Sequence, residues 1–482
     1  MAVKITLENF FDIDSEEFEL SSFMVFCGDN SSGKTHLVKL LSTVDHVLRD
    51  TQGASKVFSF RSSMFESSEL QLLQECLQYD SEKQHGEFLI QNDKKEKIYD
   101  MIEKYVDTLF HENKEKIFVS AFPDSIIQKL GKLKFRFTDR HDIRILIKRL
   151  NTFDHVSIDE EIRVQYRLEV KINDNTLFGA LSSTKDEPVA DMLKRLLPGN
   201  FIFMTLLAYK INFPSGSADM LYLPASREAY TRDYDYFLST GDLFLENGFE
   251  IKETELYAND SKRNNHSDDP FVERYVQQFI SSFKWDKSNN NQKIVDFLEN
   301  NILKAKVMFN EGKLRYKLEN DQEISTIQAS SMQNEYSFFA RLIQTDRYKS
   351  LVIEEPEAHL SLPNAIRFTF VLLALHQKGY NIWITTHNTF IADTINNFIL
   401  MSKLEQEKQL QFLKQFQIDS MLTHIEPQRV DEINALYIKK EGIHYLEKNN
   451  QGIIFKQFIK QINQFVDLTA ELQNEFWEDD DE

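Results

Sequence analysis

Cysteine is almost missing from this chain: Cys27 and Cys76 are the only two among 482 residues. That excludes a disulfide framework and points to a reducing cytoplasm. No Cys/His spacing suits a structural zinc site either. Glycine is scarce, with 14 residues, well under the usual ~7%, so each glycine cluster carries information. No apolar run reaches the ~18 residues needed to span a bilayer, and no membrane partner is expected. The longest such runs are FIFMTLLAY (201–209) and FTFVLLAL (368–375). The first twenty residues, MAVKITLENFFDIDSEEFEL, interleave acids with apolar residues and do not fit a signal peptide. Positive charge is also short: 56 Lys and Arg against 76 Asp and Glu leave a net −20. Six of those acids lie in residues 475–482, so the rest of the chain carries −14. This balance argues against a general nucleic-acid coat but leaves room for a local basic groove. Internal repeats and heptad arrays are absent.

What is present is a globular composition, 41% hydrophobic and 27% charged, long enough for a sizeable core and several domains. Residues 3–48 pattern as strand, strand, strand, loop and helix. Residues 60–128 are mostly helical and polar. Alternation over 132–178 predicts strands, interrupted by a helical piece, DIRILIKRL. MLYLPASREAY (220–230) patterns as a strand running into a loop. ANDSKRNNHSDDP (258–270) is the best loop candidate in the chain. Two helices (271–284 and 292–304) and a hairpin (305–318) follow. A helix in 325–345, a strand (350–354), a helix (363–377) and a strand (380–385) then alternate as in an α/β sheet.

Three segments carry chemistry. Residues 28–35, GDNSSGKT, match G-x-x-x-x-G-K-[ST] between a strand and a helix. Gly28 and Gly33 let the backbone curl so that the amides of Asn30, Ser31 and Ser32 face phosphate oxygens. Lys34 brings a point charge to the outer phosphates, and Thr35 offers a hydroxyl to Mg²⁺. The second segment, SLVIEEPEAHL (350–360), ends a short apolar strand in Glu354 and Glu355. Adjacent residues on a strand point to opposite faces, so one acid can hold metal while the other activates water. The third, YNIWITTH (380–387), delivers His387 to the carboxyl end of a strand, where ligands sit in open parallel sheets.

Together these segments resemble the ABC-type ATPases, the superfamily of transporter motors and the SMC and RecF proteins. GDNSSGKT is similar to Walker A, LVIEEP to Walker B with its catalytic glutamate, and ITTH to the switch-histidine loop. The resemblance implies Glu354 as the metal-side acid, Glu355 as general base and His387 as γ-phosphate sensor, with ATP and Mg²⁺ as ligands. A signature loop that contacts the partner subunit's ATP would be QASSMQNE (328–335), with Met332 in place of the usual glycine and Ser331 or Ser330 as the contact. A helix N-cap explains the same serines. Gln91 is the candidate for the family's Q-loop.

Lys34 and Glu354 stand 320 positions apart, too far for a transporter motor, and long heptad arms are missing. IEEPEAHL, with LYLPASREAY upstream, is more similar to the overcoming-lysogenization-defect group and to ATPase subunits of antiphage systems such as PARIS and Septu. The expected fold is α/β: an ABC-type ATPase head, a mixed sheet with a phosphate loop plus antiparallel strands, carrying a large mixed, partly helical insertion. Residues 1–60 would form its N-terminal part with Walker A. Residues 61–325 would be the insertion, and 326–482 the C-terminal part with signature-like loop, Walker B and switch histidine.

The resemblance implies a cytoplasmic ATPase that forms a homodimer or higher homo-oligomer. It would control a separate effector, a nuclease or toxin, in antiphage defence, in response to a phage-encoded trigger. Two alternatives stay open. One is a RecF-like maintenance ATPase that clamps DNA through the basic stretch 128–150, where eight Lys or Arg and two Asp give a local +6. On that strand Lys132, Lys134 and Arg136 share one face, which a merely solvated strand also explains. The other is a nucleotide-locked scaffold with little turnover, which Met332 suits. Arg227, among Tyr222, Tyr230, Tyr234 and Tyr236, would reach a phosphate or an interface, or form a structural ion pair.

Overall fold

The computed structural model describes residues 3–10, 13–29, 31–49, 66–80, 85–90, 92–119, 121–138, 140, 143–149, 163–172, 175–184, 220–232, 270–310, 313–439, 442–450, 452–455, 468 and 470. Asn30, Gln91, Tyr234, Tyr236, the segment 258–269 and the acidic run 475–482 lie outside the described residues.

Along the chain, β1 (Val3–Phe10), β2 (Ile13–Leu20) and β3 (Phe23–Gly28) precede α1 (Lys34–Arg49). There follow α2 (Ser67–Cys76), β4 (Leu77–Asp80), β5 (His85–Ile90), α3 (Asn92–Phe118), α4 (Asp124–Lys129) and β6 (Leu133–Phe137). Next are β7 (Ile143–Arg149), β8 (Arg163–Ile172), β9 (Asn175–Thr184), β10 (Met220–Leu223) and α5 (Arg227–Arg232). Then come α6 (Pro270–Ser281), α7 (Gln292–Phe297), β11 (Ala305–Asn310), β12 (Lys313–Leu318) and β13 (Glu323–Ser325). The last group is α8 (Ser331–Thr345), β14 (Ser350–Glu354), α9 (Leu362–Gln377), β15 (Asn381–Thr386), α10 (Thr389–Met401), α11 (Gln406–Gln415), α12 (Pro427–Asp431), β16 (Ile433–Lys439) and β17 (Gly442–Tyr445). The chain divides into two compact units. One takes in the described residues of Met1–Ser21 and Lys39–Met220, the other those of Ser22–Val38, Leu221–Ile251 and Arg263–Glu482.

The second unit is built on a six-stranded sheet in the order β10-β14-β15-β3-β16-β17. β14, β15, β3 and β16 run parallel, and β17 closes the edge antiparallel to β16. β3 and β14 are buried at every position, which is why their central residues, FMVFC and LVI, are apolar runs rather than alternating ones. Helices α6 to α10 bury their apolar faces in one core with these strands, including Tyr275, Phe338, Phe368 and Phe398. α9 shows how such a helix is specified: Ser361 at the N-cap, Pro363 in the first turn, then ten buried residues. The small antiparallel sheet β11-β12-β13 completes the mixed α/β architecture expected from the sequence.

The first unit holds a three-stranded sheet, β2-β1-β6, and a five-stranded antiparallel sheet, β4-β5-β7-β8-β9. The inward residues of β6 pack on α3, with Tyr99 against Phe137 at 5.1 Å and Phe110 against Phe135 at 5.4 Å between ring centres.

Two sequence expectations change here. DIRILIKRL is no helix: Ile143–Arg149 is β7, hydrogen-bonded to β5 on one side and β8 on the other. Its isoleucines at 143, 145 and 147 are β-branched with period two, and pairing on both edges decides the matter. The basic strand face is also not bare. Lys134 lies 3.6 Å from Glu8, and Arg136 contacts Asp107 at 2.9 Å and Glu103 at 3.4 Å. Arg140 reaches Glu96, Asp100 and Glu103. The local +6 counts charges along the chain, whereas α3 and β1 supply the compensating acids from elsewhere.

Candidate functional site

The phosphate-type loop, the acidic pair and the histidine stand on three neighbouring strands of the second unit. Parallel register aligns Glu354 with Thr385 and Phe26, and Thr386 with Cys27. The carboxyl ends of β14, β15 and β3 therefore release Glu355, His387 and the 28–35 loop at one edge of the sheet. That edge is where the fold leaves room for ligands.

The loop has the backbone its glycines permit. Gly28 (φ 150°) passes so close to β16 that an added Cβ would sit 2.1 Å from the Ile438 carbonyl oxygen. Gly33 (φ 93°) faces open space, and Ser31 takes a left-handed φ of 62°. α1 starts directly behind, where the Leu37 amide donates to the Gly33 carbonyl at 2.9 Å. Lys34 is buried, and its ammonium donates to the carbonyls of Gly28 (2.9 Å) and Asp29 (2.7 Å). Burial holds the Lys34 amine below its usual range, opposed first by the field of Glu355. The neighbouring Cys27 thiol is pushed up to about 12 by burial, with Lys34 pulling it down, and it donates to the Leu436 carbonyl at 3.2 Å. It is a small buried hydrophobe, as its place in an apolar strand suggests. Thr35 lies half-buried in the first turn of α1.

Glu354 is buried at the tip of β14. Its Oε2 accepts the Ala225 amide at 2.9 Å, while its Oε1 has no hydrogen-bond partner. Such an orphaned buried oxygen costs about 1–3 kcal/mol if left unsatisfied. Glu355 is half-exposed and held at φ 43°, an uncommon left-handed conformation for a side chain of this kind. Its amide donates to the Thr385 carbonyl at 3.0 Å, so the turn is stitched to β15. Tyr336 on α8 donates to the carbonyls of Pro356 (2.7 Å) and Ala358 (2.8 Å), pinning the turn from the other side.

His387 is half-exposed, with Nδ1 3.8 Å from a Glu355 oxygen and 3.7 Å from a Glu357 oxygen. Glu357 was not singled out from the sequence. The residue is half-buried with its side chain 8% exposed, and its Oε1 accepts the Thr386 hydroxyl at 2.7 Å and the His387 amide at 3.4 Å. Burial raises its carboxyl above the ordinary range, and the Thr386 hydrogen bond is the largest opposing effect. The only sequence signal for it was its place in EEPE, three residues after the strand-end acid.

The signature-like segment does start a helix. Ser330 is the N-cap of α8: its hydroxyl accepts the Gln333 amide, and the Gln333 side chain accepts the Ser330 amide, a complete capping box. Ser331, the first helical residue, is exposed. Glu335 takes no part in the cap. It is fully buried and pairs with Arg227 at 2.6 Å, its second oxygen accepting the Glu228 amide at 2.6 Å. Arg227 also donates to the Pro224 and Glu354 carbonyls at 2.8 Å and stands 5.9 Å above the Tyr336 ring. Of the readings open for Arg227, the structural ion pair is the one observed.

Neither a protein-family model nor a curated protein matches this chain. Among solved structures it is similar to the SMC head domain from Thermotoga maritima, at 10% identity and a TM-score of 0.27, over 81% of this chain and 90% of that one. It is similar also to an SMC head domain with an extended coiled coil bound to the C-terminal domain of ScpA, from Pyrococcus furiosus. The values there are 9% identity, a TM-score of 0.30, and 97% and 100% coverage. A third is the recombination mediator protein RecF-ATPrS, at 9% identity and a TM-score of 0.27, over 92% and 97% of the two chains.

Proposed function

We propose that the chain binds ATP with Mg²⁺ and hydrolyses it. The observation that carries this reading is the single sheet edge that gathers the curled loop with its buried Lys34, the partnerless oxygen of Glu354, half-exposed Glu355 and His387. The residues fit a divalent cation. The fields of Glu355, Asp29 and Glu357 converge on the one ammonium of Lys34 and disfavour a bare triphosphate, and Glu354 Oε1 is an oxygen ligand without a partner. Thr35 and Glu354 would hold Mg²⁺, which neutralises phosphate charge when bound. The loop amides of 28–33 and Lys34 bind the phosphates, Lys34 exchanging its two loop carbonyls for phosphate oxygens. Glu355, with access to solvent, takes the proton of the attacking water, and His387 steadies the outer phosphate.

In the fuller form of this reading, two copies sandwich ATP, with Ser330 or Ser331 of one facing the loop of the other. The complex then holds or releases a separate effector, a nuclease or toxin, in antiphage defence. Exposed Ser331 at a helix start and Ile327, 81% exposed just before it, support a contact at this end of α8. The DNA-clamp alternative stays open beside this reading, with Lys134 and Arg136 of its strand face paired to Glu8 on β1 and Asp107 on α3. The test is analytical ultracentrifugation with ATP and Mg²⁺. Glu355→Gln is expected to accumulate as a nucleotide-bound dimer while wild type cycles. A Glu355→Gln variant that binds no nucleotide refutes the reading.

A further inference from the structure

Glu355 and His387 are half-exposed and belong to different turns, so something must fix their mutual geometry. One buried side chain touches both the backbone and the ring of the histidine turn. Glu357 Oε1 accepts from Thr386 Oγ1 and from the His387 amide, and lies 3.7 Å from His387 Nδ1. Thr386 Oγ1 in turn accepts the Asn388 amide at 3.0 Å, and Asn388 caps α10 by accepting the Phe390 amide at 2.9 Å. The chain of bonds Glu357–Thr386–Asn388 therefore runs from the turn after β14 into the start of α10. It leaves the imidazole with Nδ1 facing two carboxylate oxygens, those of Glu355 and Glu357, at 3.8 and 3.7 Å. The turn that carries Glu357 is itself over-determined. The Ala358 amide donates to the Glu355 carbonyl at 2.9 Å, and Tyr336 holds two of its carbonyls.

We infer that Glu357 is the positioning residue of the candidate site: it sets the Thr386–His387 turn and the ring orientation of His387 against Glu355. This rests on the ATPase reading for its consequence but not for its geometry. In this role Glu357 works through His387. It acts by keeping His387 in one orientation, so its removal acts on turnover rather than on nucleotide capture.

The experiment pairs kinetics with a direct view of the ring. Protein labelled with ¹³C-histidine gives imidazole signals, and the His387 signal is identified by its loss in His387→Asn. In Glu357→Ala that signal should move and broaden, kcat should fall roughly 10- to 100-fold, and KM for ATP should change less than about threefold. Glu357→Gln keeps an acceptor oxygen and should leave the His387 signal near its wild-type position. Thr386→Val removes the hydroxyl donor without shortening a buried acid, and should displace the signal as Glu357→Ala does. This keeps the test decisive if the alanine variant does not fold. A His387 signal unmoved in both Glu357→Ala and Thr386→Val overturns the inference. So does a fall in kcat with the ring signal unchanged. Wild type that hydrolyses no ATP would refute the ATPase reading alone, because the ring signal still reports on Glu357.

Discussion

Replacing Arg227 by methionine should destabilise the second unit more than any surface change. The guanidinium side chain is 3% exposed and the Glu335 carboxylate 0%, and the pair closes at 2.6 Å. The same guanidinium satisfies the carbonyls of Pro224 and Glu354 at 2.8 Å. Without it Glu335 becomes a buried acid without a cation, at a site where burial already raises its carboxyl above the ordinary range. Breaking one side of a buried pair costs about 3–5 kcal/mol, a roughly 10²- to 10⁴-fold change in the folding equilibrium. Urea unfolding followed by tryptophan fluorescence reads this unit, since Trp285 and Trp383 both belong to it. The double variant Arg227→Met with Glu335→Gln should recover much of the loss, because no buried charge is then left alone. A single-variant cost under about 1 kcal/mol, the range of exposed pairs, would refute the reasoning. A double variant as costly as the sum of the two singles would refute it equally.

Two further outcomes follow from the backbone and from burial. Gly28→Ala should cost more stability and more nucleotide affinity than Gly33→Ala, because only the first forces a Cβ to 2.1 Å from a carbonyl oxygen. Gly33→Ala meets open space and bears only the left-handed backbone penalty, about 1–2 kcal/mol. Paired thermal melts and ATP titrations compare them, and equal losses would contradict the close-approach argument. Glu299, buried with the Val307 amide as its hydrogen-bond donor at 3.0 Å, has its carboxyl raised by burial above its ordinary 4.5. The folded state then binds this proton more tightly than the unfolded chain does, so its contribution to stability falls as pH rises above 4.5 through the raised value. Glu299→Gln removes that dependence. Melts of both proteins across this window should show the variant gaining on wild type as pH rises, and parallel curves would refute the shift.

Much of the site was legible because its chemistry is local in sequence. The curled loop needs glycines at fixed offsets, and the parallel strands β14, β15 and β3 have apolar centres that lead into the residues they deliver. The parts that were not legible depend on partners distant in the chain. Arg227 and Glu335 are 108 positions apart, and nothing in either neighbourhood announces the other. Lys134 and Arg136 looked like a basic face because Glu8, Glu103 and Asp107 sit on β1 and α3, far along the sequence. The apolar spacing of β7 fits a helix nearly as well as a strand, and pairing with β5 and β8 settles which forms. Glu357 escaped notice for another reason. Two acids on a strand tip already satisfied the expected chemistry, and only the Thr386 hydroxyl and His387 amide reveal what a third one does.

The central claim is that the sheet edge is a site of ATP hydrolysis with Glu355 as its base. Its most direct test is single-turnover hydrolysis of radiolabelled ATP with Mg²⁺ by wild type and Glu355→Gln, with bound nucleotide measured in the same samples. The account predicts that both proteins bind ATP and that only wild type releases phosphate at an appreciable rate. Equal phosphate release by the two proteins would contradict it.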